Sequence, residues 1–401
     1  MKIPPFDDLS EEQDEICVLA PLDEVILVSG PPGTGKTVVA FYRAEAVSGK
    51  GCTPVLVMYN AVLCRYSHNA SNLPAVREGV KTWFSWFGRW WKVVFGQYYP
   101  QKGPYIPDWE PMLKSTVQLV TDPQRQLRAF REWGHLIVDE GQDFPCDFYH
   151  LARLVLNIAE SSNVKKVSLT VLADENQRLQ AGKNSSIKEI KQALAVKQER
   201  HYHLTRNYRN TYEIARAAAH FYVGLPDGIP KLPVNRRGQK PRITRTENLD
   251  ASVDLIRRFV VNQSDLEIGV FLPTQALQIK YYNELKRRLR DVAGVNVQRY
   301  TNNDHEHGDA NRLQFDTHGV VTVLCDQSSK GLEFDVVFVP EIQARRWDPV
   351  AIDQFRMQFY VLTSRARQFL FFQYTSKNGD QIPILDHFPR PDSDIMEWIN
   401  G

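Results

Sequence analysis

The chain has 401 residues, and at about 150 residues per domain this length predicts two, at most three, folded units. Its 43% hydrophobic and 24% charged residues match an ordinary globular protein. The sequence contains no run of about 18 apolar residues, the length that a membrane-spanning helix needs. Residues 1–15 are rich in acids and lack the basic and apolar segments of a signal peptide, so we expect a cytoplasmic protein.

The net charge of +2 hides opposite local charges. Residues 51–100 carry 5 basic and 1 acidic side chains and residues 161–250 carry 17 and 8, whereas residues 1–50 and 301–350 each carry 4 basic and 9 acidic ones. The basic stretches leave nucleic acid open as a partner, beside the simpler interpretation of solvated faces of mixed sign. The five cysteines are scattered, which favours reduced thiols over disulfides or a thiolate metal site.

Apolar runs of strand length alternate with amphipathic stretches, a pattern typical of parallel sheets covered by helices. The predicted strands of the first half are 24–29, 54–59, 135–139 and 167–173. Those of the second half are 267–272, 320–324, 336–339 and 369–374, with a helix at 275–290. We therefore predict two α/β domains, at 1–200 and 201–401. The polar stretch 302–311 contains two histidines and is expected to be a surface loop rather than a metal site.

A phosphate-binding sequence follows the first predicted strand. Residues 30–37 read GPPGTGKT and fit the pattern G-x-x-x-x-G-K-[ST]. Glycines let backbone N–H groups surround phosphate oxygens, while Lys36 is expected to reach the β- and γ-phosphates and Thr37 to hold magnesium. The predicted phosphate contacts are Gly30, Pro31, Pro32, Gly33, Thr34, Gly35, Lys36 and Thr37.

An acid pair ends a later predicted strand. The segment HLIVDEGQDF supplies Asp139 and Glu140 directly after an apolar run. Asp139 is predicted to hold the magnesium shell, and Glu140 to orient and deprotonate the attacking water. The alternative, two exposed acids that cap the next helix, would leave the apolar run unexplained.

The rest of the chain continues a series of motifs. DEGQDF resembles motif II of superfamily 1A helicases of the UvrD/Rep kind, and the family's other motifs have counterparts in the right order over nearly the whole chain. These counterparts are LSEEQ (9–13), VLADENQ (171–177), LTRNYRN (204–210), SSKGLEFDVV (328–337) and YVLTSRARQFL (360–370). The resemblance implies two RecA-like domains with ATP and Mg²⁺ in the cleft between them. It also implies movement on single-stranded nucleic acid, DNA rather than RNA, in the 3′ to 5′ direction.

The same resemblance implies a role for each matching residue. Three residues would act at the γ-phosphate with Lys36 and Glu140: Gln177, Arg209 and Arg365. Four residues would contact the adenine and ribose side of the nucleotide: Gln13, Tyr208, Gly331 and Glu333.

The chain departs from the family in what it offers to nucleic acid. Only about 75 residues separate the second strand from Asp139, and fewer than 50 separate Leu272 from Val320. The large insertions that help relatives to separate duplexes are therefore missing or reduced to a tryptophan-rich stub at about 81–130. VLADENQ (171–177) resembles motif III, and the aromatic residues that relatives present after its glutamine are also missing here, where the chain reads QRLQAGKNSS (177–186). This chain alone is therefore not expected to unwind duplexes as full-length relatives do.

Candidate nucleic-acid contacts lie in the first domain. Tyr59 and Asn60 lie in a segment that resembles motif Ia, and Thr82 and Trp83 in one that resembles motif Ib. Residues 81–92 hold four of the chain's 8 tryptophans, interleaved with Lys81, Arg89 and Lys92. Their helical spacing favours a core stripe, while a partner-protein face and a base-stacking surface stay open as alternatives.

Two functions remain at this point. The first is an ATP-dependent helicase-like motor. The alternative is a nucleotide-dependent switch or assembly subunit whose conformation a protein partner recognises. The missing insertions, and a tryptophan cluster if it is exposed, favour this alternative. By family analogy, a separately encoded partner would place the chain in a multi-protein antiphage-defence or repair system.

Overall fold

The computed structural model describes residues 3–70, 72–104, 106–164, 167–177, 184–225, 228–301, 307–346, 348–377 and 380–399, without the side chains of Asn69, Ala70 and Gln177. The described chain divides into two compact units. The first consists of Ile3–Pro31 and Gly35–Thr205, and the second of residues 32–34 and 206–399. None of the helices in these ranges is both long and apolar enough to cross a membrane.

The first unit is built on a six-stranded parallel sheet. Its helices are α1 Glu11–Asp14, α2 Lys36–Gly49, α3 Ala61–Ala70, α4 Pro74–Gly79, α5 Trp83–Phe95, α6 Trp109–Val117, α7 Pro123–Trp133, α8 Cys146–Ser161 and α9 Ile187–Ala193. Its strands are β1 Val25–Ser29, β2 Pro54–Met58, β3 Val80–Thr82, β4 Gln101–Gly103, β5 Ile106–Pro107, β6 His135–Val138, β7 Ser168–Ala173 and β8 His201–His203. The sheet order is β3-β2-β6-β7-β1-β8, and β4 pairs with β5 in a separate antiparallel ribbon.

The central strands are apolar because helices cover both faces of the sheet. Every residue of β6 and β7 is buried, as expected for strands inside a parallel sheet. Helix α7 shows the local start signals, since Asp122 accepts a hydrogen bond from the Arg125 backbone N–H and Pro123 occupies the first turn. Helix α5 ends at Gly96, whose φ of 76° suits a residue without a side chain.

The tryptophan stripe of α5 belongs to the core of the first unit. Trp83, Trp86, Trp90 and Trp91 are all buried, with at most 3% of each exposed. Trp90 Nε1 donates a hydrogen bond to the Ala129 carbonyl oxygen on α7 at 3.1 Å. The core interpretation is therefore confirmed, and the partner-face and base-stacking interpretations of this stripe are wrong.

The second unit is built on a seven-stranded parallel sheet. Its helices are α10 Tyr212–His220, α11 Leu249–Asn262, α12 Gln275–Arg288 and α13 Ile352–Thr363. Its strands are β9 Arg242–Thr246, β10 Ile268–Leu272, β11 Asn296–Arg299, β12 Val320–Cys325, β13 Phe334–Val339, β14 Ala366–Thr375 and β15 Glu397–Ile399. Their order is β11-β12-β10-β13-β14-β9-β15.

The predicted fold class, α/β with parallel sheets covered by helices, is confirmed in both units. All eight predicted strands are present, with ends shifted by up to three residues. Strands such as β9 and β11 were not predicted because they read RITRT and NVQR and lack an apolar run. Of the predicted loop 302–311, residues 302–306 lie outside the described residues.

Candidate functional site

The phosphate-binding sequence forms a loop between β1 and α2. Gly33 and Gly35 have φ values of 85° and 88°, in the left-handed region that glycine adopts without strain. Helix α2 begins at Lys36, so its first backbone N–H groups lie at the end of this loop. A helix N-terminus carries partial positive charge and unpaired donors, which suits a phosphate.

Lys36 is held at the base of the loop. It is 7% exposed, and its Nζ donates to the carbonyl oxygens of Gly30 at 2.7 Å and Pro31 at 3.1 Å. It also forms an ion pair with Asp174 Oδ2 at 3.2 Å. Asp174 is fully buried and follows β7 directly. The ammonium group is thus oriented along the loop by neutral oxygens and one carboxylate.

Thr37 and Asp139 form the second half of the site. The Thr37 hydroxyl donates to Asp139 Oδ2 at 2.8 Å. Burial raises the pKa of Asp139 to about 7, and the charge of Glu140 adds to this, while Thr37 and Lys36 act in the opposite direction. A hydroxyl and a carboxylate oxygen are the ligands that Mg²⁺ prefers, so this pair fits that ion.

Glu140 adopts an unusual backbone conformation. Its φ of 54° lies in the left-handed region, which is rare for residues other than glycine and is found at functional sites. Its carboxylate accepts a hydrogen bond from Gln142 Nε2 at 2.5 Å, and Gln142 Oε1 accepts from the Asp174 backbone N–H at 2.9 Å. Gly141 leaves no room for a side chain, since an added Cβ would lie 2.5 Å from Val171 Cγ1. The acid is therefore fixed by its neighbours.

Gln13 lies against the loop. It is 4% exposed, and its Oε1 accepts from the Ser10 backbone N–H at 3.0 Å in a capping box at the start of α1. A Cβ added to Gly35 would collide with Gln13 Nε2. The amide thus touches the end of the loop, where a nucleotide base reader is expected.

The predicted residues of the second unit also come together. Arg209 forms an ion pair with Glu333, and its Nη1 donates to the Ser364 carbonyl oxygen at 3.3 Å, next to the fully buried Arg365. Burial is the largest single influence on Glu333 and favours its neutral form, but the surrounding positive charges, that of Arg209 first, together hold the pKa of Glu333 below its usual value. Tyr208, by contrast, is 40% exposed and available for a ring contact. Gly331, in the segment SSKGLEFDVV (328–337), has a φ of 79°.

Two site residues were missed by the sequence analysis. Asp174 pairs with Lys36, and Gln142 bridges Glu140 to the Asp174 backbone. The available signal for Asp174 was an acid directly after an apolar strand, the same signal that identified Asp139. For Gln177, the predicted γ-phosphate contact falls on a side chain outside the described residues.

The candidate nucleic-acid residues differ in exposure. Trp83 is 2% exposed and stacks on Phe87, so its ring cannot stack on a base and the prediction for Trp83 is wrong. Tyr59 is 41% exposed and is backed by the ring of Phe144. Thr82 is partly buried, and its hydroxyl caps α5.

Asn60 serves the local fold at the start of α3. Its Oδ1 accepts a hydrogen bond from the Val62 backbone N–H at 2.8 Å. The exposed Tyr59 therefore remains the better candidate of the pair for a base contact.

Solved structures of other proteins show only a weak similarity to this chain. Three solved structures are similar at 10–21% identity. They are the C-terminal domain of a possible DNA helicase from Lactobacillus plantarum WCFS1 (21% identity, 48% of this chain and 98% of that chain, TM-score 0.34), Pif1 helicase from Candida albicans (14%, 92% and 97%, 0.45), and the DUF1998 helicase MrfA bound to DNA (10%, 94% and 50%, 0.48). All three TM-scores lie below 0.5, so the family assignment rests on sequence alone.

No curated protein sequence matches the chain significantly. The family model of the Schlafen group 3 DNA/RNA helicase domain, however, matches residues 23–223, just over half of the 401 residues. That range contains the phosphate loop and the acid pair. The chain therefore belongs to the Schlafen group 3 DNA/RNA helicase domain family.

Proposed function

We propose that this chain is a Mg²⁺-dependent ATPase of the UvrD-like helicase kind that moves along single-stranded nucleic acid. The observation that carries the proposal is the meeting of Lys36, Thr37, Asp139 and Glu140 at the carboxyl ends of β1 and β6. In parallel α/β sheets, ligands bind at this edge. Family membership supports a helicase-like motor on nucleic acid, and the site chemistry supports the nucleotide.

Each first-unit residue has a binding task. Lys36 exchanges its loop carbonyls and Asp174 for the β- and γ-phosphates, and Thr37 and Asp139 hold the metal. Bound Mg²⁺ would neutralise charge on the phosphate oxygens. Gln13 contacts the adenine, since its amide already lies beside Gly35. These residues bind and orient the nucleotide before any bond is broken.

Hydrolysis then depends on charged side chains that act on the attacking water and on the γ-phosphate. Glu140 orients the attacking water and accepts its proton, with the carboxylate held by Gln142. Arg209 and Arg365 supply positive charge to the γ-phosphate, in the manner of arginine fingers. The Arg209–Glu333 pair must open for this, and the Glu333 carboxylate then contacts the ribose.

We propose that single-stranded nucleic acid contacts the exposed ring of Tyr59, with Asn60 and Thr82 near the bound polymer. Stacking on one aromatic ring contributes about 1–3 kcal/mol per base. Single-stranded DNA is the preferred polymer over RNA, and the direction is 3′ to 5′. We also propose a separately encoded protein partner, as in multi-protein antiphage-defence or repair systems.

The second candidate function is a nucleotide-dependent switch or assembly subunit. The short insertions favour it, but the tryptophan stripe no longer does, because it is buried in the core. The ATP hydrolysis rate separates the two when measured without polymer, with single-stranded DNA and with single-stranded RNA. Stimulation of several-fold by either polymer supports the motor, and equal rates in all three conditions reject it.

A further inference from the structure

A buried polar network holds the segment that follows Gln13. The carbonyl oxygens of Ile16, Ala20, Pro21 and Leu22 all accept hydrogen bonds from side chains of other elements. The segment contains a π-helical turn, Glu15–Leu19, whose geometry is rare and is often found at functional sites. The segment packs against α2, so the carbonyl oxygens on its buried side need hydrogen-bond partners.

Arg43 on α2 supplies most of these partners. Its Nη1 donates to Ile16 O at 2.9 Å and Ala20 O at 3.1 Å, and its Nη2 donates to Pro21 O at 2.9 Å. Its Nε donates to the Thr170 hydroxyl at 3.1 Å. All four acceptors are neutral oxygens, and Arg43 is fully buried.

His135 and Ser168 complete the network from β6 and β7. His135 Nδ1 donates to Leu22 O at 2.9 Å, because a carbonyl oxygen can only accept, and Ser168 donates to the same oxygen at 2.8 Å. His135 Nε2 then accepts from the Thr170 hydroxyl at 2.9 Å. The Ser168 hydroxyl also lies 2.6 Å from His135 Nδ1, so the Nδ1 proton is shared between that hydroxyl and Leu22 O. With this sharing, donors and acceptors match along Arg43–Thr170–His135–Leu22.

The protonation states support this pattern. Burial lowers the pKa of Arg43 to about 10, so the guanidinium still carries its charge at neutral pH. Burial also lowers the pKa of His135 to about 3, so the imidazole is neutral and can accept at one nitrogen. Hydrogen bonds from a charged donor are stronger than neutral ones, which makes Arg43 the main tether.

Helix α2 links this tether to the phosphate loop. Lys36 and Arg43 are seven residues apart, which is two turns, so they lie on the same face of α2. Lys36 donates a hydrogen bond to the loop at Gly30 O, and Arg43 holds the segment that follows Gln13. The Gln13 amide itself lies beside Gly35. A single helix thus sets the position of the base reader relative to the phosphates.

We propose that Arg43, with Thr170 and His135, is a positioning network that fixes Gln13 and so gives the site its preference for adenine. This inference rests on the proposed ATP function. Arg43 itself does not touch the nucleotide. Without the hydrogen bonds from Arg43, Gln13 would no longer be fixed beside the phosphate loop.

The test measures dissociation constants of the full chain for three magnesium complexes: ATP, GTP and inorganic tripolyphosphate. Wild-type protein should bind ATP more tightly than GTP. Arg43→Met should weaken ATP by about tenfold, bring ATP and GTP to similar affinities, and leave tripolyphosphate within about twofold. Arg43→Lys should restore part of the ATP preference, because it retains a charged donor.

Two further variants complete the design. Gln13→Ala should match Arg43→Met, and the double variant should add little beyond either single one. Arg128→Gln changes an exposed arginine on α7 of the same unit and should leave all three affinities unchanged. If Arg43→Met does not fold, Thr170→Val removes the hydroxyl shared by Arg43 and His135, and a loss of about threefold restricted to ATP is expected.

The outcomes distinguish this inference from the proposed function. Wild-type protein that binds none of the three complexes contradicts the ATP function itself. Protein that binds ATP and GTP equally, or an Arg43 variant that weakens all three ligands to the same extent, overturns the positioning role alone. Hydrogen exchange gives an independent readout, since the amides of residues 13–22 should exchange faster in Arg43→Met while those of β1 and β7 do not.

Discussion

Each of the two units contains the same turn after one of its strands, in different surroundings. Glu140 after β6 has a φ of 54°, and Glu341 after β13 has a φ of 55°. Each begins a 3-10 turn, and each carboxylate accepts a hydrogen bond at 2.5 Å from the side chain two residues later, Gln142 or Gln343. The backbone and this contact therefore do not by themselves make a catalytic site.

The difference lies in the preceding residue and in the facing helix. Asp139 precedes the turn in the first unit and Pro340 in the second, and proline has no side-chain oxygen for a metal. Thr37 at the start of α2 donates to Asp139 at 2.8 Å, whereas Tyr281 in the middle of α12 donates to Glu341 at 2.6 Å. The first turn faces the proposed nucleotide site, and the second is closed by the core of its own unit.

The loops that precede these helices differ in the same way. In the first unit β1 is followed by the glycine loop that ends at Gly35. In the second unit β10 is followed by Pro273 and Thr274, and the Thr274 hydroxyl accepts from the Leu277 backbone N–H at 3.3 Å. The N-terminus of α12 is thus capped by the Thr274 side chain, whereas we propose that α2 presents its first N–H groups to a phosphate.

The largest effect is expected from Lys36→Ala. Loss of the ammonium group should abolish measurable ATP turnover, a decrease of at least about 100-fold, because it removes the positive charge held at the base of the loop. Lys280→Ala, an exposed lysine on α12, is the control and should retain full activity. Steady-state phosphate release measures both, and a Lys36 variant with a tenth or more of normal turnover would contradict the assignment.

The two turns can be compared directly with Glu140→Gln and Glu341→Gln. The first should bind ATP normally and hydrolyse it about 100-fold more slowly, because an amide cannot accept the water proton. The second should keep its turnover and lose about 1 kcal/mol of unfolding free energy, since Gln343 loses its carboxylate partner. Appreciable hydrolysis by Glu140→Gln would remove that residue as the base.

The strands that lead into the turns differ at their first residues, His135 in β6 and Phe334 in β13. Burial lowers the pKa of His135 to about 3, below its value near 6.5 in an unfolded chain. The folded state therefore excludes a proton that the unfolded state binds, and the free energy of unfolding falls as the pH drops below about 6.5. Between pH 7 and pH 5 the expected loss is about 2 kcal/mol.

The contribution of His135 to this loss should disappear in His135→Gln, whereas that of His201 in β8, whose pKa burial lowers to about 4, should remain in both proteins. Urea unfolding followed by tryptophan fluorescence reports mainly the first unit, because residues 83–133 hold six of the chain's 8 tryptophans. An equal pH dependence in wild-type and His135→Gln protein would mean that His135 is not the group responsible.

The smallest effect is expected from Thr274→Ala. Removal of the cap of α12 should cost about 1 kcal/mol of unfolding free energy and leave the KM for ATP unchanged. Thr274→Ser keeps the capping hydroxyl and should restore the stability. A raised KM for ATP in Thr274→Ala would show that the second unit's helix terminus serves the nucleotide after all.

The sequence predicted the site wherever a motif and a strand coincided. The loop and the acid pair were placed correctly at strand ends because each follows an apolar run. Asp174 and Gln142 were missed because their contacts depend on β7 lying between β6 and β1, and strand order cannot be read from a single sequence. Trp83 was assigned from motif resemblance, yet its helical spacing places it in the core, where burial of an aromatic ring is favourable.

The central claim is that ATP hydrolysis in the first unit drives movement of the protein along single-stranded nucleic acid. Displacement of streptavidin from a biotinylated single-stranded DNA tests it most directly, with wild-type, Glu140→Gln and Glu341→Gln proteins. The account predicts ATP-dependent displacement by wild type and Glu341→Gln, from the 5′ end rather than the 3′ end, and none by Glu140→Gln. Hydrolysis by wild-type protein without displacement from either end would contradict the motor.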